Sequence, residues 1–455
     1  MFSRLGIRNF KAWKGFHTID LKPLTLLLGV NSAGKTSLLQ PLLLLRQTVD
    51  SPDRRQALNL GGQPRDILDL GTMYDVFSGN NPNLLLTFEL DVRPTVVTED
   101  DVKRADDWAD RLGELAKQVL IKFHIDYRAS PAGSLFVHKM SYTCGMLKVE
   151  AVRQKDRAYA LSANGYLSDN ASSATSPSFK PERSVAFSAE AVAALGNEGP
   201  RVQDLTLILT QELQSIAYLG PLREYPTRSY TWNSQMPGEL GIKGERAVQA
   251  LIASANMQSE GDDWLGRGSL VEHVSTWLKK MEVADGLELE RQGKSNLYEV
   301  IVVRGSQRAN LVDVGFGISQ ILPVITLAYF VLQGSTVILE QPEIHLHPLA
   351  QTSLADLFVE VSQKRGVQFL IETHSEHLFR RLQSLIADKT TTPDQCGLYF
   401  VDREKDDSAV LKTLDVDDFG RVKNWPPRFF GDAVGEAERQ MRQMLLRKQR
   451  ERSSG

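Results

Sequence analysis

LTLLLGVNSAGKTSLLQPLLLLRQTV, residues 24–49, decides the fold. The apolar run Leu24–Leu28 reads as a buried strand, the polar glycine stretch after it as a loop, and the leucine-rich remainder as a helix. Within it, Gly29, Gly34, Lys35 and Thr36 satisfy the pattern G-x-x-x-x-G-K-[ST]. Glycines at these places let backbone N–H groups wrap a phosphate, the lysine reaches the β and γ oxygens, and the threonine hydroxyl faces Mg²⁺. Asn31, Ser32, Ala33, Gly34, Lys35, Thr36 and Ser37 form the expected nucleotide-binding set, with ATP and Mg²⁺ as the expected ligands. A chance Gly/Lys turn does not sit between a buried strand and a helix start.

Three further stretches lie far downstream. TVILEQPE, residues 336–343, is an apolar strand ending in Glu340, a carboxylate expected at the C-terminal sheet edge beside the loop, holding Mg²⁺ directly or through water. FLIETHSEH, residues 369–377, ends a strand on His374, whose imidazole suits a γ-phosphate or an attacking water. DVGFGISQ, residues 313–320, opens a helix, with Gly315 and Gly317 leaving backbone exposed and Ser319 and Gln320 supplying donors. Taken alone, that last stretch is better read as a plain glycine turn. His345, His347, His374 and His377 are half of the eight histidines, yet no cysteine or carboxylate of zinc spacing accompanies them. In HLHP they are expected to pack and hydrogen-bond.

The rest of the chain places these stretches. From Val312 onward strands and helices alternate, as in an α/β sheet. VLIKFHIDYR, SLFVHKMSYT and MLKVEAV suggest an antiparallel meander, SDNASSATSPSF an exposed loop, residues 100–115 and 240–280 helices, and NLYEVIVVR a strand. The expected division is 1–100 for the N-terminal part of a nucleotide-binding head and 101–300 for an inserted α+β region. Residues 301–415 complete the head, and 416–455 form a small C-terminal piece ending in an arginine-rich helix. The 455 residues, 42% hydrophobic and 24% charged, exclude global disorder, and a net charge of −3 removes the simplest case for constitutive nucleic-acid binding. Two distant cysteines fit a reducing cytoplasm. The longest apolar run, Ile321–Leu332, contains Pro323 and is too short to span a bilayer, so no membrane is expected.

In this order, the elements resemble the ATP-binding-cassette class of ATPase heads, in the soluble group of the structural-maintenance-of-chromosomes, RecF and overcoming-lysogenization-defect proteins. RNFKAW and LTLLLGVNSAGKTSLL look like the N-lobe of that group, DVGFGISQILPVI its signature helix, ILEQPEIHLHPLAQ its Walker B and D-loop, and IETHSEHLFRRL its His-switch. YLGPLREYPTRSY and VKNWPPRFFGDAVGEAERQM are similar to a bacterial subfamily of defence-associated ATPases with a small C-terminal domain of unknown function. The resemblance implies an ABC-type α/β head, a mixed sheet flanked by helices, that dimerises so that Gly315, Gly317, Ser319 and Gln320 of one copy complete the site of another. It implies catalytic roles for Glu340, Gln341, Glu343 and His374, with Thr36 and Glu340 on Mg²⁺. It also implies a cytoplasmic switch that senses a trigger, phage DNA or protein, and regulates a separate nuclease or toxin in prokaryotic antiviral defence. The alternative is a RecF-like DNA-binding ATPase of repair or recombination.

The sequence departs from that group in places. Two adjacent acids usually end the Walker B strand, and here they are Glu340 and Gln341. An amide cannot accept a proton as a general base, so Glu343 substitutes or hydrolysis is slow. The signature is not LSGGQ, and Gln63 is the candidate for the Q-loop. Asp402, Asp406 and Asp407 read as a solvated turn rather than a nuclease centre. Trp425, Phe429 and Phe430 suit either a docking surface or core.

Overall fold

Leu24, Leu26 and Leu28 face one hydrophobic core and Leu27 faces another, so the strand entering the glycine loop is covered on both sides. That is the position of a central strand in a parallel sheet, where alternation of apolar and polar residues disappears. The computed structural model describes residues 1–94, 120–165, 168–259 and 269–426.

The chain begins with β1 (Phe2–Phe10), β2 (Trp13–Asp20) and β3 (Leu24–Gly29), followed by α1 (Lys35–Val49) and β4 (Leu86–Val92). An antiparallel meander follows: β5 (Ile121–Ala129), β6 (Leu135–Cys144), β7 (Leu147–Arg153), β8 (Tyr159–Gly165) and β9 (Ser168–Ser176). These pair into an eight-stranded sheet of order β2-β1-β4-β5-β6-β7-β8-β9. Strands from residues 121–176 therefore extend the sheet that the first 92 residues begin. The Ser- and Ala-rich stretch expected to be a loop is instead β9, paired with β8. Its small polar side chains leave no hydrophobic period to read, and the free edge of β8 supplies the pairing that propensity does not.

Next come α2 (Gly199–Gln214), β10 (Ile216–Leu219), β11 (Tyr230–Thr231), α3 (Ala247–Ser259), α4 (Leu270–Lys280), and β12 (Gly286–Arg291), β13 (Leu297–Arg304) and β14 (Gln307–Asn310). The last three strands and β11 make a small separate antiparallel sheet. The C-terminal series is α5 (Phe316–Phe330), β15 (Thr336–Glu340), α6 (Pro348–Arg365), β16 (Gln368–Glu372), α7 (Glu376–Ala387), β17 (Cys396–Arg403) and β18 (Ala409–Thr413). The second large sheet has the order β10-β15-β16-β3-β17-β18, parallel except for β18. It joins a strand from the beginning of the chain to strands near its end and takes β10 from the middle.

One core fills the space between the antiparallel sheet and one face of the parallel sheet, with α1 and α2 inside it. The other lies under α3 to α7 on the opposite face. The apolar run Ile321–Leu332 falls in and just after α5, whose residues from Ile318 to Phe330 are all buried. No described helix is long and apolar enough to cross a membrane. Trp425 packs edge-on against Phe379, with the Arg380 guanidinium 5.5 Å from its ring centroid. The helices expected at 100–115 and at the C-terminus, with Phe429 and Phe430, lie outside the described residues.

Candidate functional site

The site begins where β3 stops. Gly29 has φ 140°, and a Cβ there would lie 2.0 Å from the Val401 carbonyl oxygen on the neighbouring β17, so only glycine lets the chain turn at this strand end. Ser32 and Gly34 also have positive φ, 58° and 107°, and Gly34 is the N-cap of α1 with no side-chain cap hydrogen bond. A fifteen-residue helix thus presents its first N–H groups and the positive end of its dipole without a capping side chain. The loop is braced from two sides. Trp13 Nε1 donates to the Gly34 carbonyl at 3.1 Å and to Ser37 Oγ at 3.2 Å, and the Arg403 guanidinium donates to the Ser32 carbonyl.

Lys35 is 3% exposed, and its Nζ donates to the carbonyls of Gly29 at 3.1 Å and Val30 at 2.8 Å. Burial lowers its pKa, while Glu372 and Glu343 oppose that shift. Thr36 Oγ1 donates to Glu372 Oε2 at 2.6 Å, and Lys35 Nζ lies 3.9 Å from Glu372 Oε1. Glu372 received no role in the sequence reading. It ends β16, the strand between β15 and β3, and stands opposite Glu340 in the β15–β16 register. The carboxylate in contact with Thr36 is therefore Glu372. Its signal in the sequence was an acid in the last place of an apolar strand, the feature that had marked Glu340.

Glu340 accepts a hydrogen bond from Tyr218 Oη at 2.8 Å, and burial pushes its pKa up to about 7. Gln341 takes a left-handed conformation, φ 46°, and donates its N–H to the Glu372 carbonyl at 2.8 Å, tying the ends of β15 and β16 together. Glu343 is 7% exposed; Oε1 accepts from the His374 N–H at 2.7 Å and Oε2 makes no hydrogen bond. Burial raises the pKa values of Glu343 and Glu372. His374 reaches solvent, but protein packed against part of its ring, together with the charge of Lys35, lowers its pKa, favouring the neutral imidazole. Lys35, Thr36, Glu340, Gln341, Glu343, Glu372 and His374 thus share the C-terminal edge of one parallel sheet.

The start of α5 stands apart from that group. Among the described residues no hydrogen bond or ion pair joins it to residues 29–37. Gly315 and Phe316 are exposed, while Ser319 and Gln320 are 5% and 3% exposed. Ser319 Oγ donates back to the Phe316 carbonyl at 2.7 Å, and Gln320 Nε2 has no partner. What this helix start offers outward is therefore backbone and one aromatic ring, because one turn later its residues pack into the core. The Phe316 ring lies 5.5 Å from that of Tyr225 and 5.0 Å from that of His345. Gln63 lies in the loop beside the far end of α1, where its N–H donates to Asp66, so it does not approach the glycine loop.

Among the described residues no group of three or more His, Cys, Asp and Glu side chains is arranged to hold a metal ion by itself. The donor set near Lys35 is a hydroxyl and carboxylates, which fits a hard cation that takes one or two protein oxygens and shares a phosphate. His347 Nδ1 accepts from the Leu349 N–H at the start of α6. Asp402 on β17 pairs with Lys412 on β18, and Asp406 and Asp407 in the exposed turn between these strands pair with Lys14 and Arg403.

Residues 256–379 match the family model of an AAA ATPase domain, a span covering α5, β15 and β16. Residues 392–440 match a model described as a protein of unknown function, DUF3696. The chain is similar to a solved SMC head bound to the C-winged helix domain of ScpA, at 11% identity and a TM-score of 0.46, covering 92% of this chain and 98% of that one. It is similar as well to the SMC head domain from Thermotoga maritima, at 10% identity and a TM-score of 0.40, covering 91% and 99%. A third similar structure is the Smc head with an extended coiled coil bound to the C-terminal domain of ScpA derived from Pyrococcus furiosus, at 11% identity and 0.42, covering 91% and 96%. No curated protein sequence matches the chain.

Proposed function

We propose that the chain is an ATP-binding, slowly ATP-hydrolysing switch whose heads associate around nucleotide. The observation that carries this reading is the uncapped start of α1, with Lys35 buried beside it and the Thr36 hydroxyl turned to a carboxylate. The N–H groups of Gly34 to Ser37 and the Lys35 ammonium would hold the phosphates, and Asn31, Ser32 and Ala33 would wrap them. Thr36, Glu340 and Glu372 would hold Mg²⁺, which when bound offsets phosphate charge. Glu343, with its unpartnered Oε2, is the alternative proton acceptor to residue 341, and His374 can hydrogen-bond the terminal phosphoryl group as a neutral imidazole. Gln341 can orient a water but not deprotonate it, which is the reason for slow turnover.

Gly315 and Phe316 form the outward face that would close on the nucleotide of a second copy. In this reading the output is made by a separate effector, a nuclease or toxin, released by a protein or DNA trigger in antiviral defence. What supports that part is the resemblance in sequence to defence-associated ATPases. Equilibrium binding of a fluorescent ATP analogue, with phosphate release and sedimentation in parallel, tests the nucleotide reading. Tight binding lost in Lys35→Ala is expected, and wild-type protein that binds no nucleotide overturns it.

A further inference from the structure

Just after β10 the chain reads Gly220-Pro221-Leu222-Arg223-Glu224-Tyr225, and its arginine turns inward while Leu222 and Tyr225 on either side are more than 70% exposed. Arg223 is 6% exposed. Its Nη2 donates to the main-chain carbonyl of Glu340 at 3.2 Å, but Nε and Nη1 have no acceptor. Burial brings its pKa down to about 10, so the guanidinium stays charged at neutral pH. A buried cation with two nitrogens left without an acceptor is costly unless an anion completes it.

The surroundings indicate which anion. Glu343, whose Oε2 is also unpartnered, acts electrostatically on both Arg223 and Lys35, and Glu340 acts on Arg223 as well. Lys35 belongs to the phosphate loop, and Arg223 enters from the opposite side, over the end of β15. A triphosphate seated on the loop would bring its negative charge toward Glu340, Glu343 and Glu372, and Lys35 is the loop's own side-chain cation. A planar guanidinium whose Nε and Nη1 lack acceptors can donate to the oxygens of a phosphoryl group.

We propose that Arg223 is a ligand of the terminal phosphoryl group of the nucleotide and the residue by which this site tells a triphosphate from a diphosphate. This rests on the nucleotide-binding reading given above. A purely structural Arg223, clamping the end of β15 to the loop after β10, would affect both nucleotides alike.

The test is the ratio of ATP to ADP affinity in the full chain with Mg²⁺, measured for wild type, Arg223→Gln and Arg223→Lys, with circular dichroism and thermal melts to establish folding. Losing a charge-assisted contact should weaken ATP binding by about 10- to 100-fold in Arg223→Gln while ADP affinity changes by less than about threefold. Arg223→Lys should recover part of the ATP preference, since it keeps the charge and loses the fork. If Arg223→Gln does not fold, the lysine variant alone decides, by an ATP/ADP ratio several-fold below wild type. An unchanged ratio, or equal losses for ATP and ADP, overturns the assignment of Arg223 and leaves the nucleotide site standing. Wild-type protein that binds neither nucleotide overturns both.

Discussion

Glu340 is the side chain through which pH should enter the site. Burial lifts its carboxyl from 4.5 to about 7, against the hydrogen bond from Tyr218. At pH 7 about half the molecules should carry a proton on this group, and at pH 8.5 about one in thirty. A hard cation needs the ionised carboxylate, so seating Mg²⁺ with nucleotide must expel the proton. Calorimetric titration of ATP with excess Mg²⁺, in two buffers of different ionisation enthalpy, counts the protons released. The difference between wild type and Glu340→Gln should be about half a proton per site at pH 7 and close to zero at pH 8.5. Glu343 and Glu372, which burial also shifts upward, contribute to both titrations, and because Glu372 acts electrostatically on Glu340 the difference reports Glu340 together with its effect on Glu372. The same shift acts on the ligand-free protein. Its native state keeps, between pH 4.5 and about 7, a proton that the unfolded chain has released, so stability falls as pH rises through that window and levels off above it. The full span corresponds to about 3 kcal/mol at most, and Glu340→Gln should flatten the slope. Equal proton release in wild type and Glu340→Gln at pH 7 would refute the placement of Glu340 on the metal.

Gln341→Glu should raise the turnover number, by no more than the roughly 10²- to 10⁴-fold that general-base catalysis supplies. If it does not, and Glu343→Gln abolishes phosphate release, Glu343 is the base already in use. Gly315→Glu should fold normally, because nothing lies within 4 Å of an added Cβ, yet block ATP-dependent association by setting a carboxylate against phosphate; undiminished association in sedimentation would remove Gly315 from the closing face. Gly29→Ala should reduce soluble yield and melting temperature sharply, since its Cβ would stand 2.0 Å from the Val401 oxygen at φ 140°; a melting curve like that of wild type would contradict the turn geometry.

The strand, loop and helix at 24–49 were legible because their signals are local: a run of apolar residues, glycines at fixed spacing and a leucine-rich stretch. The same holds for TVILE, QFLIE and the helices between them. Long-range pairing was not legible. Nothing in SDNASSATS indicates that it closes an eight-stranded sheet, and nothing in residues 121–176 indicates that they continue the sheet of β1 and β4. In the site, Lys35, Thr36 and Glu340 stood out by motif, whereas Glu372 and Arg223 take their places through strand order and burial. Ser319 and Gln320 seemed outward donors because a helix start was read without its rotation; the apolar residues after them turn both side chains inward. Gln63 failed as a candidate because the length of α1, about 22 Å at 1.5 Å per residue, separates its loop from the phosphate loop.

In the function proposed above, residues 29–37 hold the phosphates of ATP and the carboxylates around them support its hydrolysis. The most direct measurement is phosphate release by the purified chain with ATP and Mg²⁺, run side by side with Lys35→Ala of the same purity. Slow, Mg²⁺-dependent release by the wild type and none by Lys35→Ala is the predicted result. Equal release from both proteins would contradict the account.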